Sequence, residues 1–311
     1  MMPAPARSAA SPQHTGPKLG QSSGFAIIAC SACGYAHATP LPTVAALSET
    51  YCHDYYAAEK PLYLVRTEED RSWWLEVYDD RLSAMEAHLD TVPGAMLDIG
   101  SGPGLFLDAA AARGWRTLGV EPSRQAAAHA RGLGHDIRQG FFDAAMAAAL
   151  TPVDAIHMAL VLEHVPEPGP LLAAARALLR PGGVICVVVP NDFSPLQRAA
   201  EGQGMPPWWV APPHHLNYFT PESLTALVEG AGFVVVERTA TFPMELFLLM
   251  GDVYVGDDAL GRACHGKRKA FETAMRKAGQ GERLARLYRS FADQDLGREI
   301  VLFARAMGET R

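Results

Sequence analysis

The chain has 311 residues, of which 49% are hydrophobic and 20% are charged, and its formal net charge is −7 at pH 7. This composition fits one soluble globular domain with appended segments, or two small domains. The net negative charge argues against general binding to nucleic acid or to an acidic membrane, because both require a basic face. No apolar run reaches the roughly 18 residues that a membrane span needs.

The start of the chain is rich in Pro, Ser, Ala and Gly and contains no apolar core of signal-peptide length. This composition predicts a disordered tail over residues 1–24. The five cysteines of the chain are too sparse and too unevenly spaced for a secreted disulfide framework. We therefore expect a protein of the reducing cytoplasm.

Residues 25–68 are predicted to form a small N-terminal segment with a close pair of cysteines. Cys30 and Cys33 are followed by Gly34, and C-x-x-C-G is the pattern of a zinc knuckle, in which the glycine lets backbone amides face the thiolates. Cys52 follows Cys33 at an interval that suits a second knuckle.

The second half of such a metal site is incomplete in the sequence. Tyr55 stands where a cysteine partner of Cys52 belongs, and residues 1–29 contain no cysteine. The possible substitutes are His53 and His37. We interpret the three cysteines as the remnant of a metal site, so the sequence does not favour bound zinc.

An alternation of strands and helices starts near residue 95, after a predicted amphipathic helix over residues 69–90. Short apolar runs predict strands at residues 95–100, 116–121, 135–140, 153–160, 183–190, 232–240 and 298–306. Helices are predicted between most of them, with Ser123 and Thr220 as caps. This order predicts an α/β fold in which helices cover both faces of a parallel sheet. Ligands of such sheets bind beyond the carboxyl ends of the strands.

Two longer segments interrupt the alternation. Residues 191–219 are rich in proline and aromatic residues, which predicts a lid over the ligand crevice. Residues 243–297 predict a helical insertion before the last strand. Its Lys and Arg residues outnumber its acids between residues 262 and 289. We interpret this charge as a solvated helical face, and contact with an anionic partner is the alternative.

The segment LDIGSGPGLFLD, residues 97–108, places three glycines directly after an apolar strand. A P-loop is excluded because no lysine follows these glycines. A dinucleotide fingerprint requires G-x-G-x-x-G, whereas Leu105 stands here in place of the last glycine. S-adenosylmethionine is the third possibility, since its amino-acid end and ribose can lie against such a turn without a pyrophosphate to accommodate.

Four motifs in this order carry a family resemblance: DIGSGPG at residues 98–104, GVEPS at 119–123, VDAIHMALVLEHVPEP at 153–168 and LLRPGG at 178–183. Together they resemble class I S-adenosylmethionine-dependent methyltransferases, in particular the small-molecule subgroup that includes the ubiquinone-biosynthesis O-methyltransferases. The resemblance implies a Rossmann-like, doubly wound, mostly parallel sheet of seven strands with an antiparallel last strand. In this interpretation the methyltransferase domain spans residues 69–311.

The resemblance also implies roles for single residues at the methionine end of the cofactor. The backbone of Gly100, Ser101 and Gly102 should contact the methionine portion, and Asp98 should order their loop. The end of the fourth strand should line the same side, with Ala159 and Leu160.

At the adenosine end, the resemblance assigns both ribose hydroxyls to Glu121 and packing on the adenine or ribose to Pro122. The family often places an acidic residue near the adenine, after the third strand. This chain has Phe141 and Phe142 there, followed by Asp143. Two alternatives stay open: a phenylalanine stacks on the base, or Asp143 bonds its amino group.

Candidates for a catalytic base are the paired histidines of the lid, His214 and His215, because histidine titrates near neutral pH. The resemblance favours His215, because the run His-Leu-Asn-Tyr-Phe-Thr at residues 215–220 recurs in the family. Hydrogen-bonded structural histidines are the alternative. His157 is predicted to pack in the core. Glu163 and His164 are interpreted as residues of a turn and a helix start, because adjacent side chains diverge and so do not suit a metal.

The sequence therefore predicts a methyltransferase that uses S-adenosylmethionine, releases S-adenosylhomocysteine and methylates an O or C atom of a small molecule. One alternative is a catalytically silent protein of the same fold, with the insertion as its contact surface. The other is a nicotinamide oxidoreductase, which the glycine spacing disfavours. We expect a cytoplasmic monomer or homodimer that neither binds nucleic acid nor spans a membrane.

Overall fold

The computed structural model describes residues 14–42, 62–90 and 92–307. The strands are β1 Lys18–Ser22, β2 Phe25–Ala29, β3 Ala36–Thr39, β4 Ala95–Ile99, β5 Arg116–Glu121, β6 Ile137–Gln139, β7 Val153–Ala159, β8 Leu179–Pro190, β9 Asn217–Tyr218, β10 Phe233–Ala240 and β11 Glu299–Ala306. The helices are α1 Tyr63–Glu69, α2 Arg71–Ala87, α3 Leu105–Ala112, α4 Arg124–Gly132, α5 Ala144–Ala148, α6 Pro168–Leu178, α7 Pro195–Gly202, α8 Pro221–Gly230, α9 Glu245–Leu249, α10 Asp258–Lys277 and α11 Gly281–Asp293. A 3₁₀ turn, Leu162–His164, follows β7.

Seven strands form the main sheet in the order β10-β11-β8-β7-β4-β5-β6. The five strands from β8 to β6 are parallel, while β11 pairs antiparallel with both β8 and β10. This arrangement confirms the predicted fold, including the antiparallel last strand. The strand predicted at residues 183–190 starts earlier, because Leu179 already pairs with Val153. The strand predicted at residues 135–140 is shorter, Ile137–Gln139.

Apolar residues cover both faces of the main sheet. Residues 184–189 of β8 are all buried, and their side chains alternate between two hydrophobic clusters. Ile185 and Val187 pack in the cluster that contains α6 and α8, whereas Val184 and Val188 pack in the cluster that contains α2 and α3. Burial on both faces explains why this strand has no polar side.

A second, antiparallel sheet has the order β1-β2-β3-β9. Its last strand belongs to the lid, so backbone hydrogen bonds join the lid to the N-terminal segment. Trp209 and Tyr218 of the lid share a hydrophobic cluster with Ile27 and Ala38 of that segment. The lid therefore contributes the edge strand and part of the hydrophobic core of a small sheet that is separate from the main sheet.

The predicted disordered tail, residues 1–24, is wrong for its last part. Lys18–Ser22 form β1, whose register runs from the pair Lys18 and Ile28 to the pair Ser22 and Phe25. The prediction rested on amino-acid composition and missed this strand, because a strand held by backbone hydrogen bonds needs few apolar side chains. Residues 1–13 of the tail lie outside the described residues, as do Cys52, His53 and Tyr55 of the predicted knuckle.

The helical insertion contains α9, α10 and α11, and part of its positive charge is paired with acids of the first two helices. Arg262 donates to Glu69 at 2.7 Å, and Arg276 donates to Asp80 at 2.6 Å. These pairs attach the insertion to α1 and α2, so an anionic partner is not needed to explain its charge. None of the helices in the described ranges is long and apolar enough to cross a membrane.

Candidate active site

A cavity of about 920 Å³ opens at the carboxyl ends of β4, β5, β7 and β8, the edge at which parallel sheets bind ligands. His215 lines this cavity, whereas His214 is not among its lining residues. The predicted cofactor contacts all line it: Asp98, Gly100, Ser101, Gly102, Glu121, Pro122, Phe141, Phe142, Asp143, Ala159 and Leu160. Residues from five parts of the sequence thus meet in one cavity.

The glycine turn after β4 brings bare backbone to the cavity. Gly100 has a φ of 75°, and a Cβ atom added there would lie 2.6 Å from Val161 Cγ2. Glycine is the residue that fits this position without strain. The amides of Gly100 and Ser101 donate to the carbonyl oxygen of Val120 at 2.8 and 3.2 Å. These bonds hold the turn against β5.

Glu121, at the end of β5, is a buried carboxylate that accepts two backbone hydrogen bonds. Its Oε2 accepts from the amide of Gly102 and its Oε1 from the amide of Ser123, both at 2.8 Å. Burial raises the pKa of Glu121 to about 7, against the effect of the two amides, and the charge of Asp98 adds to the rise. Each carboxylate oxygen can accept a further hydrogen bond, so Glu121 can hold two vicinal hydroxyls.

Asp98 belongs to a buried chain of polar side chains behind the turn. His157 Nδ1 donates to Asp98 Oδ1 at 2.8 Å, and Arg81 Nη1 lies 3.3 Å from His157 Nε2. Arginine only donates, so Nε2 is the bare nitrogen of this imidazole and Nδ1 carries the proton. Burial lowers the pKa of His157, which favours the neutral ring.

The prediction that His157 packs in the core is confirmed by its burial and by the Phe106 ring stacked on it at 3.7 Å. The prediction missed a second property, since His157 also lines the cavity. This histidine connects Arg81 to Asp98 and thereby connects α2 to the glycine turn.

The two phenylalanines after β6 have different surroundings. Phe142 is 6% exposed and packs in the core, whereas Phe141 is 39% exposed at the cavity. Asp143 caps α5, and its Oδ1 accepts from the amide of Met146 at 2.7 Å. Phe141 therefore has an exposed ring face that a ligand can contact, whereas one carboxylate oxygen of Asp143 is already used in the hydrogen bond that caps α5.

The 3₁₀ turn after β7 brings Glu163 and His164 close to His215 of the lid. One possible ligand atom from each of these three side chains lies within 4.8 Å of the others. His164 Nδ1 donates to the carbonyl oxygen of His214 at 2.7 Å, and the His164 and His215 rings meet edge to face at 5.0 Å. One carboxylate and two imidazoles can hold a divalent cation or transfer a proton.

Glu163 and His164 are indeed turn residues, as predicted, but the expectation that their side chains diverge is wrong. That expectation assumed a regular helix or strand. In the 3₁₀ turn both side chains reach one site, and the lid adds His215 from a distant part of the sequence.

Sequence patterns did not reveal the side of the cavity that α2 forms. Trp74, Tyr78 and Arg81 of α2 line it, together with Thr67 of α1. The three α2 residues are spaced i, i+4 and i+7, which places them on one helix face. This spacing is the signal that could have identified them, since it places one cationic and two aromatic side chains on the same face of the helix.

The comparisons with known proteins agree with this geometry. Residues 69–238, more than half of the chain, match the sequence profile of a family described as a methyltransferase domain. The chain belongs to this methyltransferase family. The resemblance found in the sequence is thereby confirmed, and the nicotinamide oxidoreductase alternative is not favoured.

Two curated relatives are ubiquinone biosynthesis O-methyltransferases. The protein of Caulobacter vibrioides is 33% identical over 144 residues, which are 43% of this chain and 57% of the relative. The protein of Cereibacter sphaeroides is 32% identical over 152 residues, 46% of this chain and 61% of the relative. The chain thus spans little more than half the length of these relatives.

Among solved structures, a SAM-dependent methyltransferase of Archaeoglobus fulgidus has the same fold. It superposes with a TM-score of 0.51 at 17% sequence identity, over 78% of this chain and 99% of that chain. At this level of identity the similarity is one of fold.

Proposed function

We propose that this methyltransferase transfers the methyl group of S-adenosylmethionine to an oxygen or carbon atom of a small molecule. The observation that carries the proposal is Glu121, a buried carboxylate held by two amides at the end of β5. Its two oxygens suit the vicinal hydroxyls of a ribose. The adjacent turn has Leu105 in place of the last glycine of dinucleotide sites, which disfavours NAD.

Other residues of the cavity fit the remaining parts of this cofactor. Ser101 Oγ is buried and has no hydrogen-bond partner among the described residues, which suits the polar amino-acid end. Phe141 has exposed ring surface for the adenine. S-adenosylmethionine, when bound, supplies a methyl carbon activated by a sulfonium. The protein then contributes orientation of the two reactants, which is worth about 7–11 kcal/mol in well-oriented cases.

The acceptor, in this proposal, lies between the cofactor and the α2 side of the cavity. Trp74 and Tyr78 provide flat apolar surface there, and Leu160 of the β7 end belongs to the same cavity lining. This lining supports a flat, largely apolar acceptor. The names of the curated relatives support a hydroxyl oxygen as the accepting atom.

A hydroxyl acceptor must lose its proton, and we assign its removal to His215. His215 lines the cavity next to the 3₁₀ turn of Glu163 and His164. The hydroxyl of Tyr218 donates to the carbonyl oxygen of His215 at 2.9 Å and so holds this part of the lid in place. General bases of this kind typically contribute about 10²–10⁴-fold to a rate.

Calorimetric titration tests the cofactor assignment. S-adenosylmethionine and S-adenosylhomocysteine should bind and NAD should not. Glu121→Ala should weaken S-adenosylhomocysteine binding at least tenfold, about 1.4 kcal/mol or more, because a charged hydrogen-bonding partner is lost. Asp136→Ala is the matched control, since this carboxylate is exposed and outside the cavity lining. Binding of NAD alone, or unchanged affinity in Glu121→Ala, would contradict the proposal.

Methyl transfer to small phenols, catechols and carbon acids separates an enzyme from a silent protein that keeps the cofactor site. Cofactor binding without turnover on any acceptor class would favour the silent alternative. Cytoplasmic location, a monomeric or homodimeric state and the absence of nucleic-acid binding stay predictions from the sequence.

A further inference from the structure

We propose that residues 14–37 bind one zinc ion through His14, Cys30, Cys33 and His37. One ligand atom from each of these four residues lies within 4.8 Å of the other three. The sequence pairs the two cysteines with Cys52 and offers His53 or His37 as a further ligand, but it does not point to His14. The fold supplies two histidines instead, one from each side of the pair.

The distances between these atoms fit a tetrahedral zinc site. His14 Nδ1 lies 3.1 Å from His37 Nε2, 3.7 Å from Cys30 Sγ and 3.3 Å from Cys33 Sγ. Zinc bonds of about 2.0 Å to nitrogen and about 2.3 Å to sulfur give tetrahedral edges of roughly 3.3–3.8 Å. A cation at the centre would contact all four atoms, whereas a proton on His14 Nδ1 can serve one of its three neighbours.

The orientation of His37 supports a metal ligand. Its Nδ1 donates to the carbonyl oxygen of Ala38 at 2.8 Å, so the proton lies on Nδ1 and the bare Nε2 faces the other three ligands. Metal-binding histidines are commonly oriented by a second bond of this kind. His37 is 1% exposed, and burial leaves a bare nitrogen there few other partners.

The cysteines lie in a turn suited to paired thiolates. The amide of Gly34 donates to the carbonyl oxygen of Cys30 at 3.0 Å, and the amide of Cys30 donates to the carbonyl oxygen of Tyr35 at 3.2 Å. Gly34 has a φ of 76°, which a side chain would disfavour. Two thiolates and two neutral imidazoles balance the charge of Zn²⁺, so the half-buried site would be electrically neutral.

The fold gives such a metal a structural role. The ligand strand β3 pairs with β9 of the lid through His37 and Asn217. Asn217 Nδ2 in turn donates to the carbonyl oxygens of Leu162 and Val165, at 2.8 and 2.6 Å. Zinc bound at the base of β3 would therefore stabilise the small sheet that supports the 3₁₀ turn at the cavity.

Metal analysis of the full-length protein, purified with zinc in the medium and then desalted, tests the site without any variant. We expect about one zinc per chain, as in closed structural sites. Replacement by Co²⁺ should give the intense thiolate-to-cobalt absorption and the visible bands of a tetrahedral S₂N₂ site. Zinc content below about a tenth per chain, or cobalt bands without thiolate absorption, would overturn the proposal.

Matched variants assign the ligands. Cys33→Ser and His14→Ala should each weaken zinc binding at least tenfold in competition with a chelating dye, because each removes one bond of four. Cys52→Ser and His129→Ala are the controls and should bind zinc within about twofold of the unchanged protein. Loss of zinc in Cys52→Ser equal to that in Cys33→Ser would contradict this ligand set. The readouts are metal content, absorption and affinity, so they do not depend on methyl transfer.

Discussion

In the proposed site Glu121 holds the ribose, and this role would link the binding of the cofactor to pH. The burial that raises its pKa to about 7 favours the protonated form of the empty site, whereas two ribose hydroxyls that donate to the carboxylate favour the ionised form. Binding therefore requires loss of a proton below pH 7. We expect the affinity for S-adenosylhomocysteine to fall about tenfold between pH 8 and pH 6, one pH unit on either side of the pKa.

Calorimetric titration at both pH values checks this expectation. Glu121→Gln should bind more weakly at pH 8 and lose most of the pH dependence, because its side chain does not titrate. An equal fall in affinity for both proteins would assign the pH dependence to another group.

Phe141 and Phe142 form a matched pair of neighbours with opposite expected effects. Phe141→Ala removes exposed ring surface and should weaken cofactor binding by about 1–3 kcal/mol, the range of aromatic stacking on a base. Its free energy of unfolding should change by less than about 0.5 kcal/mol. Phe142→Ala opens a cavity in the core and should destabilise the protein by about 3–5 kcal/mol. Titration and urea denaturation of both variants would reveal any reversal of this pattern.

His214 and His215 form a second matched pair. Loss of a general base should lower kcat of His215→Ala about 10²-fold or more, with S-adenosylhomocysteine affinity within about twofold. His214 meets the site through its backbone carbonyl, which His214→Ala retains, so its kcat should fall less than about threefold. Equal losses of kcat in the two variants would contradict the assignment of His215 as the base and would indicate structural roles for both histidines.

The interface between α2 and the insertion is organised around one buried carboxylate. Glu272 of α10 is 0% exposed and accepts from Trp73 Nε1 of α2 at 2.6 Å and from Arg268 Nε at 3.0 Å. The hydroxyl of Tyr288, in α11, donates to it as well. Three helices therefore share one charged, hydrogen-bonded group.

Removal of this carboxylate should affect all three helices together. Glu272→Ala leaves an arginine and two neutral donors without their acceptor, so we expect a loss of about 3–5 kcal/mol in the free energy of unfolding. Glu282→Ala, at an exposed position of α11, should change it by less than about 0.5 kcal/mol. Urea denaturation measures both, and similar small losses would show that packing, and not Glu272, joins the helices.

Elements with a strong local signal could be predicted from the sequence. The strand β5 has its predicted bounds, residues 116–121, and β8 is recognisable from its unbroken apolar run. The strand β1 could not be recognised, because its side chains are mostly exposed. It is a strand because its backbone pairs with that of β2. Hydrophobic patterns in the sequence indicate which side chains are buried. A strand that is stabilised mainly by backbone pairing therefore has no clear pattern of its own.

The same limit applies to the cavity as a whole. The side of the cavity that we assign to the cofactor lies at the ends of strands, and strand ends can be read from the sequence pattern. Glu121 could therefore be placed at the cavity from the sequence alone. Arg81 lies in a helix that precedes the main sheet, and His14 lies far from Cys33 in sequence. Local spacing can place Arg81 on one face of its helix, but the partners of Arg81 and His14 depend on how distant segments pack. The assignment of α2 to the cavity required the three-dimensional fold.

The pairing of β3 with β9 has a consequence for anyone who wishes to redesign the acceptor range. The lid reaches the cavity with His215 and continues into β9, the outer strand of a sheet whose other strands lie between residues 18 and 39. A lid transplanted alone from another methyltransferase would meet a foreign edge strand and lose its register. Residues 14–42 and the lid therefore form one exchangeable module, to be grafted together or left together.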